Sequence, residues 1–452
     1  MIEKYYSGVI EQIYNRIGKE TRNIVMANYS NDFSIENLEV IRRYQSNEDN
    51  VFFAYSEFSY NTLVGAYEPF LDIICNMHRR FIGGSFDDFQ RECGVYYLHR
   101  QVLNSYYETG ECFREETVLL NEVAYEQRRM TKAIVDMLKR LSEVRPLMIV
   151  INRFQMASKS SIETIKYLID NPCTNIGIVL GVNVQVKGTD STVEVWDRIV
   201  ESLEDRSAIY YIGSAGQQKN HIRDTSDDEL YITTNFEQSI QEASNIMEFL
   251  DYEQAKRGCR IIEHKIKFED AWIDEKSLRR FYFIYARTSV LLGEMSKAIE
   301  LTNEYKALIP ESDSEHYFSI YYFMKGTCYM YQGKLEKAEG CAKKAYDYAL
   351  LADDELLEFK SELLSVMIKM SGWYNIFFCV QDIPVSDEFI EKIIKHGYRN
   401  HLAHIYIYAY DNSRDVVKQS FYDESLLKHF TKGLELAKKI ENEQLVYDAY
   451  QK

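Results

Sequence analysis

Proline and glycine are scarce in this chain. It has 5 prolines and 20 glycines in 452 residues, under half of the roughly 12% that the two average together. With so few breakers, long helices joined by short turns are expected. Long apolar runs are missing too: nothing approaches the roughly 18 residues that a membrane-spanning helix requires. The first residues, MIEKYYSG, are polar and acidic and lack the pattern of a secretory signal. A cytoplasmic protein away from the membrane is the expectation. Positive charge is in the minority, with 53 Lys and Arg against 70 Asp and Glu and a net charge of −17 at pH 7. A general nucleic-acid surface needs a basic footprint, so none is expected; basic or peptide-like partners suit the charge better.

Catalytic constellations are missing as well. The eight cysteines, Cys75, Cys93, Cys112, Cys173, Cys259, Cys328, Cys341 and Cys379, form no CxxC pair, so reduced thiols are expected. No Ser–His–Asp or Cys–His arrangement and no paired catalytic carboxylates can be placed from spacing, and no catalytic residue is assigned. His401 and His404 are three apart on an expected helix, with His396 just before. Metal sites use such spacings, but no carboxylate or Cys nearby completes a set. They are assigned to packing or helix surface, and neither a metal nor a cofactor is expected.

What the front half does contain is an alternation of apolar runs and helical stretches. Tyr5 to Ile17 reads as a helix, Asn23 to Ala27 as a strand, and Ile35 to Tyr44 as a helix. Val51 to Ala54 reads as a second strand. A long helical stretch, Glu116 to Arg145, precedes the apolar run Leu147 to Ile151. Asn175 to Val182 and Ile209 to Ile212 supply two more strands. Buried strands alternating with helices argue an α/β layer fold with a mostly parallel sheet.

Leu147 to Ile162, LMIVINRFQMASKSSI, resembles the Walker B segment of the STAND-class (AAA-like) NTPases. In that family four apolar residues are followed by Asp-Asp, a Leu, a His or Gln, a Trp, Ala-Asp and then Ser-Leu. The structural positions match; where the family has two carboxylates, this chain has Asn152 and Arg153. Ala66-Tyr67-Glu68-Pro69-Phe70 is similar to the family's element after the second strand, and Asn175 to Val182 to its sensor strand, with Asn183 at or next to the sensor residue. A phosphate-binding loop needs Gly, Lys and a Ser or Thr. The loop after the first strand runs Asn28-Tyr29-Ser30-Asn31-Asp32-Phe33-Ser34, and no GxxxxGK[ST] occurs anywhere. Ser30, Asn31 and Asp32 are turn formers able to cap the next helix, whose N-terminus attracts anions whatever its sequence. The resemblance thus implies a degenerate, P-loop-NTPase-like domain without a P-loop over residues 1–222. Three charge-stabilising parts of hydrolysis are missing.

The back half, residues 223–452, resembles tetratricopeptide-like repeats as found in bacterial STAND regulators. Three copies align on small residues. The first has Ala243 and Ala255, and the second Ala286, Gly293, Ala298 and Pro310. The third has Tyr322, Gly326, Tyr329, Gly333, Ala338, Ala342 and Ala345. Ala255, Ala298 and Ala338 are 43 and 40 apart, longer than the 34-residue unit. Glu355 to Met370, Asp387 to His396 and His401 to Tyr410 read as further helices, and Leu427 to Gln451 as another pair. Its last helix has no partner here, and a solenoid needs a polar cap; a chain cut from a longer protein is the expectation.

A regulatory, non-catalytic role in bacterial signal transduction follows, with a protein, peptide or small-molecule ligand held by an all-α superhelix. On its first helices Arg280, Arg287, Tyr321 and Lys325 are expected to face outward and carry the partner. Two rivals stand beside this reading: an ATPase with an unorthodox site, and the regulatory part of a longer signalling enzyme such as a cyclic-dinucleotide synthase.

Overall fold

Leu147–Asn152 and Ile176–Asn183 are buried along their whole length. Strands apolar on both faces fit only in the middle of a sheet that helices cover on both sides. The computed structural model describes residues 2–29, 38–46, 50–59, 63–114, 116, 118–184, 193–212, 235–268, 273–371, 385–409, 424–440 and 442–451. Its five strands are β1 (Ile24–Tyr29), β2 (Phe52–Glu57), β3 (Leu147–Asn152), β4 (Ile176–Asn183) and β5 (Ile209–Ile212). They lie in the order β2-β3-β4-β1-β5, and every neighbouring pair is parallel. The register sets Glu57 beside Asn152 and Tyr29 beside Asn183. The carboxyl ends of four strands therefore form one row. The chain leaves β1 toward one edge and β4 toward the other, which is the kind of switch point where open α/β sheets bind ligands.

The chain divides into two compact units. The first comprises Met1–Val95, Val102–Phe113 and Asn121–Trp272, the second Tyr96–Gln101, Arg114–Leu120 and Ile273–Lys452. The sheet lies in the first, with α1 (Ile2–Arg16), α2 (Glu39–Ser46), α3 (Phe70–Met77), α4 (Phe86–Glu92), α6 (Val123–Val144), α7 (Lys159–Asp170), α8 (Val193–Glu204), α9 (Phe236–Glu248) and α10 (Tyr252–Phe268). Helix α5 (Tyr97–Thr109) gives its first turn to the second unit and the rest to the first. Ser158 caps α7 through its hydroxyl on the Ser161 N–H, and Asn235 caps α9 on Glu237 and Gln238, each satisfying an orphan donor of a first turn. Helices α9 and α10, which carry Ala243 and Ala255, pack on each other within this unit.

The second unit holds α11 (Glu275–Leu291), α12 (Met295–Ala307), α13 (Ser314–Tyr331), α14 (Leu335–Leu351), α15 (Glu355–Ser371), α16 (Asp387–Lys395), α17 (Arg399–His404), α18 (Glu424–Lys439) and α19 (Glu443–Gln451). Successive helices pack as neighbours: α11 on α12, α13 on α14, α14 on α15. Gly293 and Gly333 end α11 and α13 with φ of 78° and 71°, the left-handed conformation that glycine adopts without a Cβ clash. Ala298, Ala338 and Ala345 are fully buried. A Cβ on Gly326 would lie 3.2 Å from that of Cys341 and 3.4 Å from the Ala338 carbonyl oxygen, so α13 and α14 approach closely there.

Three expectations change. The helix expected over Glu116 to Arg145 begins at Val123, after a 3-10 turn over Leu120–Glu122. Glu116 is drawn instead into the second unit, where backbone and side-chain donors meet it. The helix expected over His401 to Tyr410 is α17 followed by a π turn, Ile405–Ala409. Helices α3, α4 and α5 fill the stretch between Phe70 and Thr109, for which no element was expected. No helix among the described residues is long and apolar enough to cross a membrane.

Candidate functional site

The row of strand ends is the place where open α/β sheets bind ligands, and side chains of the chain itself meet there. Asn152, at the end of β3, is fully buried. Its Oδ1 accepts the Tyr29 hydroxyl of β1 at 2.6 Å, while its Nδ2 is buried without a hydrogen-bond partner among the described residues. Above it, Tyr6 of α1 packs on Gly181 of β4. A Cβ at Gly181 would collide with the Tyr6 hydroxyl and lie 2.8 Å from Asn152 Oδ1. Burial, the neighbouring Tyr29 and Tyr55 rings and the Glu57 charge push the Tyr6 phenol well above its ordinary range, so it stays neutral.

Arg153 follows in the left-handed region, φ 55° and ψ 39°, which costs a residue with a Cβ about 1 kcal/mol or more. That backbone turn aims its guanidinium at β2. Nη1 lies 3.2 Å from Glu57 Oε1 and 3.4 Å from the Phe58 carbonyl oxygen. The other oxygen of Glu57 accepts the Tyr55 hydroxyl. Among the described strand ends Glu57 is the one carboxylate, and both of its oxygens are used. Magnesium takes carboxylate and water oxygens in a strict octahedron. A row of Tyr, Asn and Arg with one committed Glu does not fit it. Asn183, at the end of β4, is buried, and its N–H donates to Gln155 Oε1 at 3.3 Å. Ser30, Asn31 and Asp32 lie outside the described residues.

The residues expected on a partner face are not alike. Arg280 is exposed on α11. Arg287 on the same helix is half-buried, its guanidinium 5.6 Å from the Phe283 ring centre. Tyr321 on α13, expected to face outward, is instead 3% exposed. Its large apolar ring is covered by cations: Lys325 Nζ donates to its hydroxyl at 2.7 Å, and Lys306 Nζ lies 5.5 Å from its ring centre. The surface thus offers the two lysines above the ring rather than the ring itself.

His401 and His404 are buried. His404 stacks on Tyr408, and His396 stacks on Phe359. Among the described residues no group of three or more potential metal ligands comes together. His401 does have a carboxylate beside it, Glu116, which no local spacing reveals. The carboxylates Glu68, Asp72 and Glu242, which line a cavity in the first unit, are likewise missed from sequence. Glu68 falls inside the Ala66–Phe70 element, the one local signal there. No protein-family model matches the chain, and no curated protein matches it.

Proposed function

We propose that this chain is a non-catalytic regulatory protein of bacterial signal transduction. In this reading its first unit is a degenerate STAND-like NTPase serving as scaffold, and tetratricopeptide-like helix pairs hold a protein, peptide or small-molecule ligand. The observation that carries the reading is the Arg153–Glu57 ion pair at 3.2 Å. Phosphoryl transfer is catalysed mainly by positioning and by charge aimed at the phosphates and their metal. Where the resemblance expects acids that organise the metal, a guanidinium pairs with the one carboxylate among the described strand ends, and Asn152 is tied to Tyr29. The parallel sheet with β3 in its interior supports the α/β part of the reading. The glycine turns at Gly293 and Gly333, forty residues apart, and the buried alanines support the repeat part.

Phosphate release and thermal shift with Mg·ATP test this. The expected result is no release above a buffer control and no change in Tm. Release that disappears in Arg153→Ala would show hydrolysis at this site and overturn the reading.

A further inference from the structure

The first unit contains a cavity of about 430 Å³, within the range of roughly 300–1,000 Å³ of small-molecule sites. It belongs to neither the strand ends nor the helices of the second unit. Its walls come from the segment after β2, from α3 and α5, and from α9 and α10. The floor is apolar and buried: Leu71, Ile246, Phe249, Ile261 and Ile262. The rim carries Glu68, Asp72 and Glu242.

Each of these carboxylates is held by one oxygen. Glu68 Oε2 accepts the Gly65 N–H at 2.8 Å, Asp72 Oδ1 accepts the Tyr106 hydroxyl at 3.1 Å, and Glu242 Oε1 accepts the Gln238 amide at 3.0 Å. The second oxygen of each has no partner among the described residues. No cation among the described residues pairs with any of the three, in a fold where Lys or Arg meets many other carboxylates. Burial raises the Glu68 pKa, the Gly65 N–H opposes that, and the charges of Asp72 and Glu242 add to the rise. Three oriented, uncompensated acceptors over an apolar floor are complementary to a positive charge on a greasy body. A cation there relieves the mutual repulsion, while its apolar part covers the floor.

We propose that this cavity binds a small organic cation, an ammonium group joined to an apolar body, with Glu68, Asp72 and Glu242 receiving the ammonium and Ile246, Phe249 and Ile262 the body. The proposal is independent of the pseudo-NTPase reading, and phosphate release has no bearing on it.

Calorimetric titration of the full chain with 4-phenylbutylammonium tests it, against the neutral 4-phenylbutanol and against Nα-acetyl-lysine amide. The expected result is saturable binding of the aryl amine, with the alcohol and the lysine amide each weaker by about tenfold or more, the scale of a lost hydrogen bond to charge or of a lost apolar group. The variant Asp72→Asn/Glu242→Gln should bind the amine about tenfold more weakly and leave the alcohol unchanged. Glu143→Gln, at an exposed carboxylate paired with Arg140, should bind the amine as wild type does. Both substitution sets are near-isosteric and partly solvated, and their melting curves report folding. Equal binding of amine and alcohol, no saturable binding at millimolar amine, undiminished binding by the double variant, or an equal loss in Glu143→Gln would each overturn the proposal. Tighter binding of the lysine amide would replace the small molecule by a peptide and overturn it too.

Discussion

Glu116 Oε1 lies 2.7 Å from both the backbone nitrogen and the Nδ1 of His401, across 285 residues of sequence. The other carboxylate oxygen accepts the Tyr97 hydroxyl and, at 3.3 Å, the Asn400 N–H. Asn400 Oδ1 accepts the Asn442 amide at 2.8 Å, and Asn442 Oδ1 accepts the Leu445 N–H. Glu116 is fully buried. One carboxylate thus satisfies donors at the start of α17 and joins three distant stretches of the second unit. It caps a helix N-terminus, where negative charge is favoured, and it gives the buried imidazole an acceptor.

Glu116→Ala leaves two backbone N–H groups, a phenol and an imidazole without their acceptor in a buried site. The expected cost is about 3–5 kcal/mol, read as a lower midpoint in urea unfolding. Glu116→Gln keeps one acceptor oxygen and should fall between. A Glu116→Ala midpoint equal to wild type would mean that these bonds do not hold the second unit together.

The close approach of α13 and α14 predicts different outcomes at two glycines. Gly340, inside α14, has open space where a Cβ would go, whereas Gly326 has Leu364, Cys341 and the Ala338 carbonyl within 3.4 Å. Gly340→Ala should therefore stabilise by about 0.5–1 kcal/mol through helix propensity. Ala338→Leu should cost about 1–3 kcal/mol by overpacking, and Gly326→Ala should gain nothing. Thermal melts that rank these three variants differently would contradict the packing.

Glu68 gives a pH dependence with a definite sign. Its folded-state pKa is raised, chiefly by burial and further by Asp72 and Glu242, against the lowering effect of the Gly65 N–H. Ionised Glu68 therefore penalises the folded state above that raised pKa, and the penalty is relieved as the pH falls through it. Glu68→Gln keeps an acceptor for Gly65 and removes the charge. Its Tm should exceed wild type at pH 7, and the difference should shrink on acidification below the raised pKa. A difference that grows in acid has the wrong sign for this account.

For the proposed partner face, Lys325 above the buried Tyr321 ring and Arg287 beside Phe283 are the cations to alter. Arg287→Glu/Lys325→Glu should lower the recovery of an acidic or peptide-like partner in affinity capture by about tenfold, the scale of one or two charged contacts. Circular dichroism establishes that the variant is folded. Recovery of every wild-type partner at undiminished yield would exclude this face.

Much of this architecture is legible locally. Strands β1 to β5 fall where short apolar runs stand; the signal is strongest in β3 and β4, which are buried along their whole length and so must be largely apolar on both faces. The helices of the second unit follow the spacing of Ala286, Ala298, Gly326, Ala338 and Ala345, because two helices approach closely only over small side chains. Gly293 and Gly333 mark turns because few other residues take their backbone angles. Asn152 and Arg153 stand out because a polar and a charged residue directly follow the apolar run Leu147 to Ile151. What surrounds those residues is a property of the tertiary structure alone. That Arg153 turns to Glu57, that Tyr321 lies under lysines, that Glu116 reaches His401, and that three carboxylates share one cavity rim all depend on contacts between stretches far apart in the chain. Such contacts leave no periodicity in the sequence, because charge and hydrogen-bond partners are chosen by distance in space, whereas helices and strands are chosen by neighbours along the backbone.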